Sequence, residues 1–153
     1  MGGKLTHRHN LGFAPALEWA PQALSLSQLR NEYFTRKNGS ARQFDIKLYN
    51  ALCITKKEPE TVVLIGASWI DNDTFKINSE VFGEFIGYKN GKQSLFHKQG
   101  SLARHGFEQV FKSSNPKLAM NPECSDVDED VVRLFTDPMK RFSREKNYST
   151  SGI

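Results

Sequence analysis

Three observations predict an α+β domain. Apolar residues recur at helical spacing from Leu26 to Phe34 and again from Phe44 to Thr55. Polar and apolar residues alternate, as strands require, from Thr74 to Asn78 and from Phe107 to Phe111. Glycines, prolines and Asp/Asn clusters stand between these stretches, where chain reversals belong.

In chain order, residues 1–24 hold Pro15 and Pro21 and no sustained period, and read as an N-terminal arm. Ser25 or Ser27 can cap a helix carrying Leu26, Leu29, Tyr33 and Phe34, which Lys37-Asn38-Gly39 stops; Ser40 caps the next. That helix runs from Ala41 to about Lys56, with Phe44, Leu48, Ala51, Leu52 and Thr55 on one stripe and Arg42, Lys47 and Lys56 on the other side. Pro59 and the β-branched run after it break the period, so Thr61 to Ile65 is either a buried strand or the tail of a helical turn. Asp71-Asn72-Asp73 is a turn, across which Trp69 and Phe75 face one core in a hairpin. Ser79 caps a short helix to Ile86, stopped by Gly87, and Ser94 to His105 forms a further helix stopped by Gly106. A strand from Phe107 to Phe111 completes the order helix, helix, strand, strand, helix, helix, strand, and residues 25–112 make one domain. Residues 113–153, with Pro116, Pro122 and Pro138 and too few apolar side chains for their own core, read as a linker and a tail, either part of something longer or regulatory.

The 153 residues suffice for a single core, not for two full-sized domains. The longest apolar run, Thr61 to Ala67 with Ser68, Trp69 and Ile70 after it, is far shorter than the roughly 20 residues that span a bilayer. No charged-then-apolar leader opens the chain, so a soluble protein without a membrane partner is expected. Cys53 and Cys124 belong to no Cys/His set, which predicts reduced thiols and no zinc site.

Charge narrows the function further. The net charge of +4 is concentrated in residues 1–112, with 15 Lys/Arg against 10 Asp/Glu, whereas residues 113–153 hold 6 against 7. A basic domain of this kind is attracted to polyanions, nucleic acid first among them. On a continuous helix from Ser94 to His105, Leu95, Phe96, Leu102 and Ala103 gather on one side and Ser94, His97, Lys98, Ser101 and Arg104 on the other. The second face is rich in donors and has no acidic residue. Lys98 and Arg104 suit phosphate or guanine, Gln93 or Gln99 suits adenine, and Lys89, Lys92 and Lys112 flank the face for phosphate. Such a face can also be just the wet side of a core helix, but its flanking lysines and its place immediately before a strand favour a recognition helix with a wing.

Enzyme readings are weaker. Ser94, His97 and Asp73 make a conceivable triad, yet no nucleophile-elbow motif surrounds any serine. His7-Arg8-His9 lacks further metal ligands, Lys89-Asn90-Gly91-Lys92 is not a phosphate loop, and Asp126 to Asp130 lacks the spacing and glycine of a calcium loop. No catalytic residue, metal site or cofactor is expected.

Taken as a set, Phe44-x-x-Lys47-Leu48-Tyr49-Asn50-Ala51-Leu52, Ser68-Trp69-Ile70 with Phe75-Lys76-Ile77, Val81-Phe82-Gly83, Ser94 to Ser101 and Arg104-His105-Gly106-Phe107 resembles the initiator-binding domain of the trichomonad initiator-binding protein, over roughly residues 25–112. More loosely the order of elements is similar to heat-shock-factor and Ets winged helices, without the Arg-Gln-Leu core of the heat-shock-factor helix or the paired arginines of the Ets recognition helix. The resemblance implies a winged helix that binds double-stranded DNA at the initiator element of the core promoter, in the nucleus, with Ser94 to His105 in the major groove. It also implies that residues 113–153 lead towards a missing C-terminal domain, through which RNA polymerase II is contacted. The rival readings are a winged helix used as a protein-interaction module, with Leu95, Phe96 and the tail apolars serving partners, and RNA binding.

Overall fold

The computed structural model describes residues 30–35 and 44–146. The N-terminal arm, the start of the first helix with its stop at Lys37 to Gly39, and the Ser40 cap lie outside the described residues. Of the first helix, Arg30–Phe34 forms a single π-type turn, from which Phe34 reaches the core against Phe85 with ring centroids 4.6 Å apart.

Helix α1, Phe44–Lys57, bears the expected stripe, with Leu48, Ala51, Leu52 and Ile54 wholly shielded. Its other side is buried too: Asp45, Lys47 and Asn50 are covered from Phe44 through Thr55, contrary to the two-faced helix expected. Part of that cover is the C-terminal segment, which brings Phe142 against Tyr49 at 5.2 Å and Arg141 against Asp45. After a 3₁₀ turn at Pro59–Thr61, the run Val62–Ile65 takes the helical alternative as α2, because strand β1, Ala67–Trp69, only starts beyond Gly66.

Strand β2, Thr74–Asn78, pairs antiparallel with β1, Trp69 opposite Phe75, and their rings meet edge to face at 5.6 Å. The intervening turn is closed by Asp71, whose Oδ1 accepts from the amides of Asp73 and Thr74. Helix α3, Ser79–Phe85, follows, capped by Asn78 rather than by the expected Ser79. The Ser79 hydroxyl is used elsewhere, donating to the carbonyl of Val131 at 2.9 Å. Helices α4, Gly91–Phe96, and α5, Ser101–Arg104, precede strand β3, Glu108–Val110.

The largest departure from the sequence reading lies beyond residue 112. Residues 113–153 are not simply linker and tail: strand β4, Val132–Thr136, sits inside the sheet, whose order is β1-β2-β4-β3 and whose pairs are all antiparallel. Alternation along the strands splits the apolar residues between two faces. Phe75, Ile77 and Phe135 join the main core with α1, Phe82, Leu95 and Leu102. Val132 and Leu134 point the other way, into a second cluster with Ile70, Leu118, Cys124 and Val127. The Ser/Asn/Pro-rich stretch supplies the cover for that face as α6, Pro116–Met120, between 3₁₀ turns at Lys112–Ser114 and Pro122–Cys124. Its local rule is asparagine capping, by Asn115 and Asn121, and its anchor is Lys76, whose ammonium holds the Glu123 carbonyl at 2.7 Å and the Asp126 carboxylate at 2.8 Å. Both cysteines are free and buried, and burial pushes the Cys53 thiol up to about 11.

Beyond β4, Arg141 locks the chain end to the domain. Its guanidinium bonds both oxygens of Asp137 at 3.0 and 3.1 Å, the carbonyl of His105 at 2.7 Å and Asp45 at 3.4 Å, and lies over the Phe107 ring at 4.5 Å. Removing one partner of so covered a cluster strands the other charges, at about 3 kcal/mol or more. Arg141→Met is therefore expected to lower the denaturant midpoint strongly without changing the slope; an unchanged midpoint would show that the cluster contributes nothing.

Candidate nucleic-acid interface

Helices α3 and α4 meet backbone to backbone. A Cβ on Gly83 would stand 2.5 Å from the Gly91 Cα, and one on Gly91 would stand 2.0 Å from the Ser79 carbonyl oxygen. No side chain fits at either position, so the two glycines set the close helix-turn-helix crossing. Asn90 caps α4 by accepting from the Gln93 amide at 3.1 Å.

Ser94 to His105 is not one helix. The chain extends at His97, with ψ 151°, and resumes at Gly100, the cap of α5, with ψ 178°. Gly100 is required there, because a Cβ would lie 2.6 Å from the Ser94 carbonyl oxygen. The break resets the helical phase, and two assignments change with it. Ser101 turns inward, 3% exposed, and its hydroxyl lies 2.6 Å from that of Tyr88, so it leaves the outer face where a continuous helix puts it; Ala103 turns out to solvent. Leu95 and Leu102 remain in the core as expected, and Phe96 is half-buried under the Arg133 guanidinium at 4.5 Å.

The two short helices and the break between them enclose an open cleft of about 470 Å3, lined by Tyr88, Gln93, Ser94, His97, Gln99, Gly100, Ser101 and Arg104. None of these is acidic. Gln93, His97, Lys98 and Arg104 are exposed, and the His97 ring is steered by accepting the Gln99 amide on Nδ1 at 3.2 Å. The side chains of Lys98, Arg104 and Lys89 make no hydrogen bond or ion pair among the described residues.

The flanking lysines expected on phosphate part company. Lys89 is exposed beside α4. Lys92 is ion-paired with Asp130, so the acidic run from Asp126 to Asp130 braces the start of α4. Lys112 points away from the cleft: its ammonium donates to the Cys124 carbonyl at 3.2 Å and its amide to Glu129 at 2.7 Å, both in the segment that covers the back of the sheet. Asp73 belongs to the β1–β2 turn, where its carbonyl takes the Thr136 hydroxyl. Sequence reasoning missed Tyr88, whose only signal is its position directly after the helix-stopping Gly87.

The family described as the transcription-initiator DNA-binding domain matches residues 18–129. The chain belongs to this family. Among curated proteins none matches its sequence. Its fold is similar to that of the T. vaginalis IBP39 initiator-binding domain, whose crystal structure is bound to the alpha-SCS Inr element: the TM-score is 0.51 at 20% identity, over 72% of this chain and 85% of that one. This initiator-binding domain is thus a winged helix, with α3 and α4 packed backbone to backbone and a four-stranded sheet in the order β1-β2-β4-β3. The family match ends at residue 129, yet the central strand β4 begins at Val132.

Proposed function

We propose that the domain binds double-stranded DNA at the initiator element of the core promoter and reads it with the cleft side of α4 and α5. The single observation that carries this reading is the cleft itself: eight lining residues without a carboxylate, among them Arg104, whose guanidinium has no partner among the described residues, with the exposed Lys98 between the lining residues His97 and Gln99 in the chain. Arg104 has the planar fork that fits guanine or phosphate, Gln93 and His97 can bond base edges, and Lys89 and Lys98 supply phosphate contacts. Ser101 acts from beneath, through Tyr88, and Lys92 is available once Asp130 releases it. The domain acts by binding, without chemistry of its own. It works in the nucleus, where promoters are, and helps to position RNA polymerase II.

Arg104→Ala is expected to cost about 1–3 kcal/mol of duplex affinity and to relax discrimination between sites, while Lys98→Ala weakens all duplexes alike and lowers the salt slope by about one contact. Thermal midpoints stay near the parent value, since both side chains are exposed. Anisotropy titrations check this. Two variants that bind like the parent would remove the cleft from the interface.

A further inference from the structure

The turn that follows β4 carries cations to the end of α5, and the reading above does not use it. Asp137 closes this turn by accepting from the amides of Met139 and Arg141 at 3.1 and 3.0 Å. Lys140, at the tip, has φ 56°, a left-handed conformation that costs energy for a residue with a side chain and persists where its surroundings impose it. The turn is fixed relative to the cleft. Arg141 bonds the carbonyl of His105, the residue after Arg104, and the Met139 sulfur lies 3.1 Å from where a Cβ on Gly106 would stand. Lys140 and Lys146 are exposed and adjacent, since the Lys146 ammonium donates to the Lys140 carbonyl at 3.0 Å. The carboxylate within the turn, Asp137, is buried and already held by Arg141.

We infer that this turn is a second contact with the duplex, in which Lys140 and Lys146 grip phosphates just outside the stretch read by α4 and α5. The inference rests on the proposed DNA reading and extends it: both lysines are exposed, Lys146 reaches the Lys140 backbone, and Arg141 and Met139 hold their turn against His105 and Gly106, the two residues after Arg104. Phosphate contacts of this kind add affinity without sequence preference. The residues that make them lie beyond the span shared with the family.

The test compares the parent with a Lys140→Ala/Lys146→Ala double variant on two duplexes, one limited to the bound site and one extended by about a helical turn on each side. On the long duplex the variant is expected to bind at least about fivefold more weakly near 0.1 M salt. Its log–log salt slope falls by about 2, at roughly 0.9 per lost phosphate contact. On the short duplex parent and variant bind alike. A charge-keeping Lys140→Arg/Lys146→Arg variant recovers the long-duplex affinity, which a merely structural role for these lysines does not predict. Equal affinity and slope for parent and Ala variant on the long duplex would overturn the inference while leaving the cleft intact. A parent with no salt-dependent binding to either duplex would instead overturn the DNA reading, and this inference with it.

Discussion

A chain cut after Ser114 is expected to show no cooperative unfolding transition. The cut removes β4 from between β2 and β3, so β2 keeps only its pairing with β1 and β3 loses its register partners altogether. It also takes Phe135 and Phe142 from the main core and Leu118, Cys124, Val127, Val132 and Leu134 from the second cluster. At roughly 1.5–3 kcal/mol for each large buried side chain, the loss matches or exceeds the 5–15 kcal/mol that hold an ordinary domain together. Circular dichroism against temperature or urea is the check. A sigmoidal transition near the parent midpoint would mean that residues 115–146 are dispensable, as a linker would be.

The second large effect belongs to Gly91→Ala. One methyl group there must displace either the Ser79 carbonyl, 2.0 Å away, or the whole of α3, because both obstacles are backbone and neither can rotate aside. We expect a loss of about 3 kcal/mol, roughly 10 °C in thermal midpoint for a chain of this length. The crossing of α3 and α4 opens with it, so duplex affinity falls as well. Gly83→Ala meets the same crossing from the other side at 2.5 Å and should behave alike. If both variants melt like the parent, the backbone-to-backbone contact is not present in solution.

Much of this fold is legible in short-range pattern. The stripe of Leu48, Ala51 and Leu52 gives α1, and the alternation of Phe75 and Ile77 gives β2, because each is governed by neighbours a few residues away. What escapes is long-range. Val132 to Phe135 looks like a short tail stretch, and only the pairing of Phe135 with Phe75 from sixty residues upstream makes it a central strand. Asn78 outcompetes Ser79 for the α3 cap because the serine hydroxyl is claimed by Val131, a partner no local window contains.

The site divides in the same way. Arg104, Lys98, His97 and Gln93 are found from sequence because a helical face free of acids is a local feature. The break at Gly100 is not, since a lone glycine in a helical pattern is often tolerated, and here its necessity comes from the Ser94 carbonyl beneath it. Ser101 and Lys112 follow from that kind of oversight: one is rotated inward by the phase reset, the other is drawn to the segment behind the sheet.

The proposed reading of double-stranded initiator DNA by the cleft of α4 and α5 stands or falls on selective, salt-dependent binding. Its most direct test is an anisotropy titration of the whole chain with an initiator duplex, competed in turn by a scrambled duplex, the separated strands and an RNA duplex across a range of salt. Affinity is expected to fall steeply with salt, and an unlabelled initiator duplex to outcompete the scrambled one by at least about tenfold, with single strands and RNA weaker still. Competition by these three as strong as by the unlabelled initiator duplex, or binding indifferent to salt, would contradict the reading.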